Sequence, residues 1–203
     1  MSPVETGARR HLVLVGLMGA GKTTVGARCA ERLGRAFVDT DDLVVAHAAM
    51  PVDEIFRTGG EARFRELERQ VVADVCASPE PLVIGSGGGA VVDADNRRRF
   101  RAAGVVVWLH APTEVLAERV GTGSGRPLLT GESERAVTVN AGTAKGIGKA
   151  HPPTVQILDR LAGLRDDAYR SSADAVVETG GRTVDAVADA VLAAFAEAAG
   201  VAS

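Results

Sequence analysis

Residues 16 to 24 limit this chain to few folds. Gly16-Leu-Met-Gly-Ala-Gly-Lys-Thr-Thr24 satisfies every fixed position of the phosphate-loop pattern G-x-x-x-x-G-K-[ST]. The apolar run Leu12-Val-Leu-Val15 reads as a buried strand before it, and Val25 to Leu33 as the helix after it. A chance glycine-rich turn would not carry that setting. Each residue type has a chemical reason. Gly16, Gly19 and Gly21 let the backbone curl so that its amides point inward at phosphate oxygens. The helix opening near Lys22 adds the positive end of its dipole. Lys22 would reach the β- and γ-phosphates, and Thr23 a magnesium ion. Gly19, Ala20, Gly21, Lys22, Thr23 and Thr24 are therefore the candidate nucleotide-binding residues.

Composition excludes several classes. The 203 residues, 46% of them hydrophobic, suffice for one domain with a full core. A net charge of −3 carries no nucleic-acid footprint, and 3% aromatics offer no platform for stacked bases. No run is long enough to span a bilayer. Cys29 and Cys76 sit in apolar helical patterns and read as small core residues of a reduced, cytoplasmic protein. His11, His47, His110 and His151 show no metal-ligand spacing.

Along the chain, apolar strands alternate with helices. Strands are expected at 35–39, 81–84, 105–109 and 175–178 after the first. Helices are expected from Asp41 to about Ala49, Pro51 to Arg57, Glu61 to Ala77, Asp95 to Ala103, Thr113 to Val120, Thr154 to Ser172 and Thr183 to Ala199. Thr58-Gly-Gly60 should break one helix, Gly104 should stop another, and Thr113 should cap a third. This alternation predicts an α/β protein with a parallel sheet and helices on both faces. Ligands should then sit at the carboxyl ends of the strands.

Several side chains would gather there. Asp39 ends the second strand and Asp41 follows with one residue between. In an extended backbone both would project to one side, facing the phosphate loop if strands one and two are neighbours. One could position magnesium, and the other could orient a substrate hydroxyl and take its proton. Asp42 is better explained as a helix cap. Gly87-Gly-Gly89 would allow close backbone approach by a ligand, or mark a tight turn. Arg65 and Glu68, three apart on a helix, have the spacing of a solvated surface pair.

Taken together, these stretches resemble the shikimate kinases, phosphate-loop enzymes similar to nucleoside-monophosphate kinases. The resemblance rests on residues 16–26, Asp39-Thr-Asp41, Ile55-Phe56, Gly59-Gly-Glu61, Phe64-Arg65-x-x-Glu68, Gly87-Gly-Gly-Ala90, Arg126-Pro-Leu-Leu129 and Arg165-x-x-x-Tyr169, in that order from about His11 to Leu192. It implies a single phosphate-loop kinase domain over 1–203, a five-stranded parallel sheet in the order 2-3-1-4-5, and a mobile lid. It also implies transfer of the ATP γ-phosphate, with Mg2+, to the 3-hydroxyl of shikimate by a monomer. Lys22, Asp41 and Arg126 would be catalytic. Asp41, Arg65, Gly87, Gly88, Gly89 and Arg165 would bind shikimate, the two arginines holding its carboxylate. Glu68 would hold Arg65, and Phe56 and Phe64 would wall the ring. Asp39 would reach magnesium together with Thr23. Arg119 would pack on adenine, and Arg126 would come from the lid.

The chain departs from this pattern in two places. Thirty-eight residues separate Arg126 from Arg165, roughly twice the family's usual spacing; loops of such length are functional or disordered. The surplus, around Gly131 to Pro153 in a lid spanning about 121–153, is poor in large apolar residues and is expected to be an extended or partly disordered excursion. Lys145 and Lys149 within it could meet nucleotide phosphates. Second, Asp166 and Asp167 follow Arg165, where carboxylates could draw it away from a substrate carboxylate. A kinase of another small hydroxylated metabolite, such as gluconate, and a nucleotide-binding module without activity are the competing readings.

Overall fold

The computed structural model describes residues 11–121 and 153–200. Five strands form one parallel sheet: β1 (His11–Val15), β2 (Ala36–Asp39), β3 (Leu82–Gly85), β4 (Gly104–His110) and β5 (Ala175–Glu178). Their spatial order is 2-3-1-4-5, as the resemblance implies. β1 is the centre, pairing with β3 through Val13↔Ile84 and with β4 through Val13↔Val106. Val, Leu and Ile fill β1, the interior of β3 and most of β4, and both faces of these strands are buried, which is why they lack alternation.

Among the described residues, seven α-helices flank the sheet: α1 (Lys22–Leu33), α2 (Thr40–Ala48), α3 (Val52–Cys76), α4 (Ala94–Ala103), α5 (Thr113–Val120), α6 (Pro153–Ser172) and α7 (Val184–Ala198). α1 packs on α7, whereas α4 packs against both α3 and α6. Right-handed crossovers with this strand order put the two groups on opposite faces. Arg28 and Arg32 of α1 meet Asp185 of α7, and Arg32 also meets Asp189. No helix among the described residues is long and apolar enough to cross a membrane.

Local details correct several expectations. The residues 52–59 and 61–76 form one helix kinked at Gly60, whose φ of 66° and ψ of −174° interrupt it at the expected break. Asp39, not Asp42, caps α2, its side chain accepting from Asp41 N–H. Asp42 lies in the first turn, where its charge still suits the dipole. Thr113 does not cap α5: Pro112 holds that position, and the Thr113 hydroxyl donates to Asp159 of α6. Gly104 does stop α4, its N–H donating to the Phe100 carbonyl, and it also opens β4 at close approach, since a Cβ would lie 2.3 Å from the His11 carbonyl oxygen. Cys29 is buried, and Cys76 is half-buried against the core.

Phe37 shows how tightly β2 is seated. A methyl on Gly26 of α1 would come within 2.3 Å of the Phe37 ring. Overpacking of this kind costs about 1–3 kcal/mol, against about 1 kcal/mol gained from helix propensity. Gly26→Ala should therefore melt lower than the parent, by about 2–4 °C for each net kcal/mol lost. A higher melting temperature would show that the ring swings clear at no cost.

Candidate active site

β1 runs straight into the phosphate loop, whose glycines have the backbone the motif demands. Gly19 and Gly21 have φ of 80° and 95°. Gly19 also lies so close to α5 that a Cβ would meet the Leu116 carbonyl oxygen at 2.8 Å. Lys22 Nζ donates to the carbonyls of Gly16 (2.8 Å) and Leu17 (2.9 Å). Thr23 and Thr24 are exposed at the start of α1, while Ala20 is buried beneath the loop.

Asp39 joins this loop to the rest of the site, although β2 neighbours β3 rather than β1. Its Oδ2 accepts from the Thr23 hydroxyl at 3.0 Å, and its Oδ1 accepts from Asp41 N–H at 3.0 Å. Asp41 is therefore not aligned with Asp39 along an extended strand; the helix cap brings the two together. Among the described residues no group of three or more His, Cys, Asp or Glu could hold a metal. Thr23 and Asp39 do supply two hard oxygens at the loop, the ligand chemistry of a magnesium ion that keeps water and phosphate in its shell.

The three glycines after β3 receive one charged side chain each. A Cβ on Gly87 would lie 2.3 Å from Asp41 Oδ1. A Cβ on Gly89 would lie 2.7 Å from Arg65 Nη1. The Gly88 carbonyl accepts from Arg165 Nη1 at 3.1 Å and from the Tyr169 hydroxyl. Gly88 also faces the phosphate loop, its Cβ position being 3.5 Å from the Gly16 carbonyl oxygen. The absence of side chains here lets one carboxylate and two guanidinium groups converge beside the phosphate loop.

Electrostatics follow from this crowding. Solvent reaches Asp41, yet surrounding protein desolvates the carboxyl and pushes its pKa up. The negative charge of Asp39 adds to the rise, and Lys22 opposes it. Glu68 is only 1% exposed, so the Arg65–Glu68 pair is not a solvated surface pair. Its bond is 2.8 Å long. Burial raises the Glu68 carboxyl, and Arg65 holds it down. Glu61 approaches Arg65 more loosely, at 3.4 Å to both Nε and Nη2. The Arg65 guanidinium also lies over the Phe64 ring, 5.4 Å from its centroid, and Phe64 stacks on Phe56 at 5.0 Å.

Arg119, expected against adenine, is held at the phosphate loop by its own partners. Its guanidinium donates to the Gly19 carbonyl (3.3 Å), to Thr179 Oγ1 (2.8 Å) and to the Thr179 carbonyl (2.6 Å), lacing the phosphate loop to the turn after β5. Asp167 turns into solvent, where it meets Arg170 at 3.6 Å, while Arg165 is directed at Gly88. Arg126, the stretch from Gly131 to Pro152, Lys145 and Lys149 lie outside the described residues. Thr40 carries a role that its sequence position did not announce. It is fully buried between the two aspartates, and its hydroxyl accepts from Gly87 N–H at 2.7 Å. The only signal was a small polar residue inside Asp39-Thr-Asp41.

Known proteins share this sequence pattern and fold. The shikimate kinase family profile matches residues 18–196. A shikimate kinase of Francisella tularensis subsp. novicida is 35% identical over 175 residues, covering 86% of this chain and 88% of that protein. The structure of shikimate kinase from Acinetobacter baumannii in complex with shikimate superposes with a TM-score of 0.77 at 33% identity, covering 90% of each chain. That of the Bacteroides thetaiotaomicron enzyme gives 0.72 at 27% identity, covering 90% of this chain and 96% of that one. Fold, ordered motifs and relatives thus coincide, and the chain belongs to the shikimate kinase family.

Proposed function

We propose that this chain transfers the γ-phosphate of ATP to the 3-hydroxyl of shikimate. The observation that carries the reading is the triple glycine, where Asp41, Arg65 and Arg165 meet beside the phosphate loop. One carboxylate and two guanidinium groups match an acceptor with a hydroxyl to activate and a carboxylate to hold. The relative solved with shikimate supports the choice of acceptor.

Roles follow from placement. The amides of Gly19 to Thr24 cradle the phosphates, and Lys22 exchanges its loop carbonyls for phosphate oxygens. Thr23 and Asp39 would hold magnesium, which would neutralise phosphate charge. Arg65 and Arg165 orient the acceptor through its carboxylate, with Gly87, Gly88 and Gly89 giving close approach. Glu68 fixes Arg65. Asp41 accepts the proton of the attacking hydroxyl. Phosphoryl transfer needs positioning and charge neutralisation more than covalent help, so these groups suffice to define the reaction.

The test is ADP release by purified protein with ATP and magnesium, with and without shikimate. A strong shikimate-dependent rate is expected. If ATP binds and shikimate leaves the rate unchanged while gluconate or another polyol acid stimulates it, the acceptor is a different one.

A further inference from the structure

Arg165 and Tyr169 share one acceptor atom. Both side chains leave the same face of α6, four residues apart. Both donate to the Gly88 carbonyl oxygen. A carbonyl oxygen has two lone pairs, and these two donors claim both. Tyr169 has little freedom to do otherwise. It is 0% exposed, and its ring stacks on Trp108 at 5.5 Å with an interplanar angle of 22°. Trp108 in turn pairs in the sheet with Val15, the residue that enters the phosphate loop. A rigid column thus runs from the central strands through Trp108 and Tyr169 to Gly88. Burial pushes the phenol up to about 12, so the hydroxyl stays a donor across the working pH range.

We infer that Tyr169 is a positioning residue of the acceptor site: by occupying one lone pair of the Gly88 carbonyl, its hydroxyl confines Arg165 to the other. The inference rests on the reading that Arg165 meets the acceptor carboxylate. Without the hydroxyl, the second lone pair is free. Arg165 then swings between two hydrogen-bond directions, and the glycine loop loses its anchor to the sheet. The effect falls on acceptor binding, because the hydroxyl bonds to the Gly88 carbonyl that also anchors Arg165.

Tyr169→Phe keeps the ring stack and removes only the hydroxyl. We expect its KM for shikimate to rise about tenfold, the factor a single hydrogen bond carries, with kcat and the KM for ATP within about twofold of the parent. In an Arg165→Lys background the same change should have little further effect, since the hydroxyl acts through the arginine. An unchanged KM for shikimate, or full additivity of the two substitutions, would overturn the inference. A purely structural role would lower the melting temperature without that split. Tyr169 is also the only tyrosine in the chain, so 3-fluorotyrosine labels it alone without any substitution. Its fluorine resonance should move on saturation with shikimate, and move less in Arg165→Lys; a resonance unmoved at saturation would sink the idea even if Tyr169→Phe does not fold. A parent inert towards shikimate would bring down the acceptor assignment and this inference together. A parent active with shikimate, paired with an indifferent Tyr169→Phe, would bring down this inference alone.

Discussion

Asp41→Asn should lose shikimate-dependent ADP release by about 10²- to 10⁴-fold, the range that a positioned general base contributes, while ATP binding persists. Asparagine keeps the shape over Gly87 but cannot accept the proton. The same substitution should raise the melting temperature at neutral pH. Burial and the charge of Asp39 push the Asp41 carboxyl up, so the folded protein holds this proton more tightly than the unfolded chain does. The ionised carboxylate therefore opposes folding above the folded pKa, and this penalty fades as pH falls to the unfolded value. Asparagine removes the penalty. The parent enzyme should show the matching pH profile: its rate declines with falling pH earlier than an ordinary aspartate would dictate, because the raised pKa is reached sooner. Rate measurements from pH 4 to 9 and paired melts would check both parts. A variant with the parent rate would remove Asp41 from the chemistry; a variant that is inactive and also less stable would mean that the carboxylate is structural.

How much of this was legible in the sequence depended on distance along the chain. The phosphate loop is a local code: nine consecutive residues specify the turn, the lysine and the helix start, and the structure has them so. Strand identity was legible because β1, β3 and β4 are buried on both faces and must be apolar throughout. Contacts that close over long separations were less readable. The i, i+3 spacing of Arg65 and Glu68 is the same whether that helix face meets water or core. Only the packing of α3 makes Glu68 buried. The sharing of the Gly88 carbonyl by Arg165 and Tyr169 joins residues 77 and 81 positions apart, and no periodicity encodes it. The relation of Asp39 to Asp41 was expected for the wrong reason. Their spacing suits two residues of an extended strand, whereas a helix starts between them and the first caps it.

The burial of Glu68 gives the second large effect. Arg65→Ala should lose stability of about 3–5 kcal/mol, the usual consequence of leaving one member of a buried ion pair behind, or a fall in melting temperature on the order of 10 °C. It should also raise the KM for shikimate by about 10- to 100-fold, the value of a charged hydrogen bond to the acceptor carboxylate. The two losses have different causes and can be separated. With Arg65 gone, only the charge of Arg165 still opposes the rise of the buried Glu68 carboxyl, and the folded state holds its proton more tightly than before. The stability deficit is then fully present above that raised folded pKa and shrinks as pH falls through it. Adding Glu68→Gln to Arg65→Ala removes the stranded charge, so most of the lost stability should return at neutral pH. Acceptor binding should not return, because the guanidinium is still missing. Melts of the single and double variants at pH 5 and pH 8, together with shikimate titrations, would decide. If the double variant regained both stability and the parent KM, Arg65 would be no more than the partner of Glu68, and the acceptor carboxylate would rest on Arg165 alone.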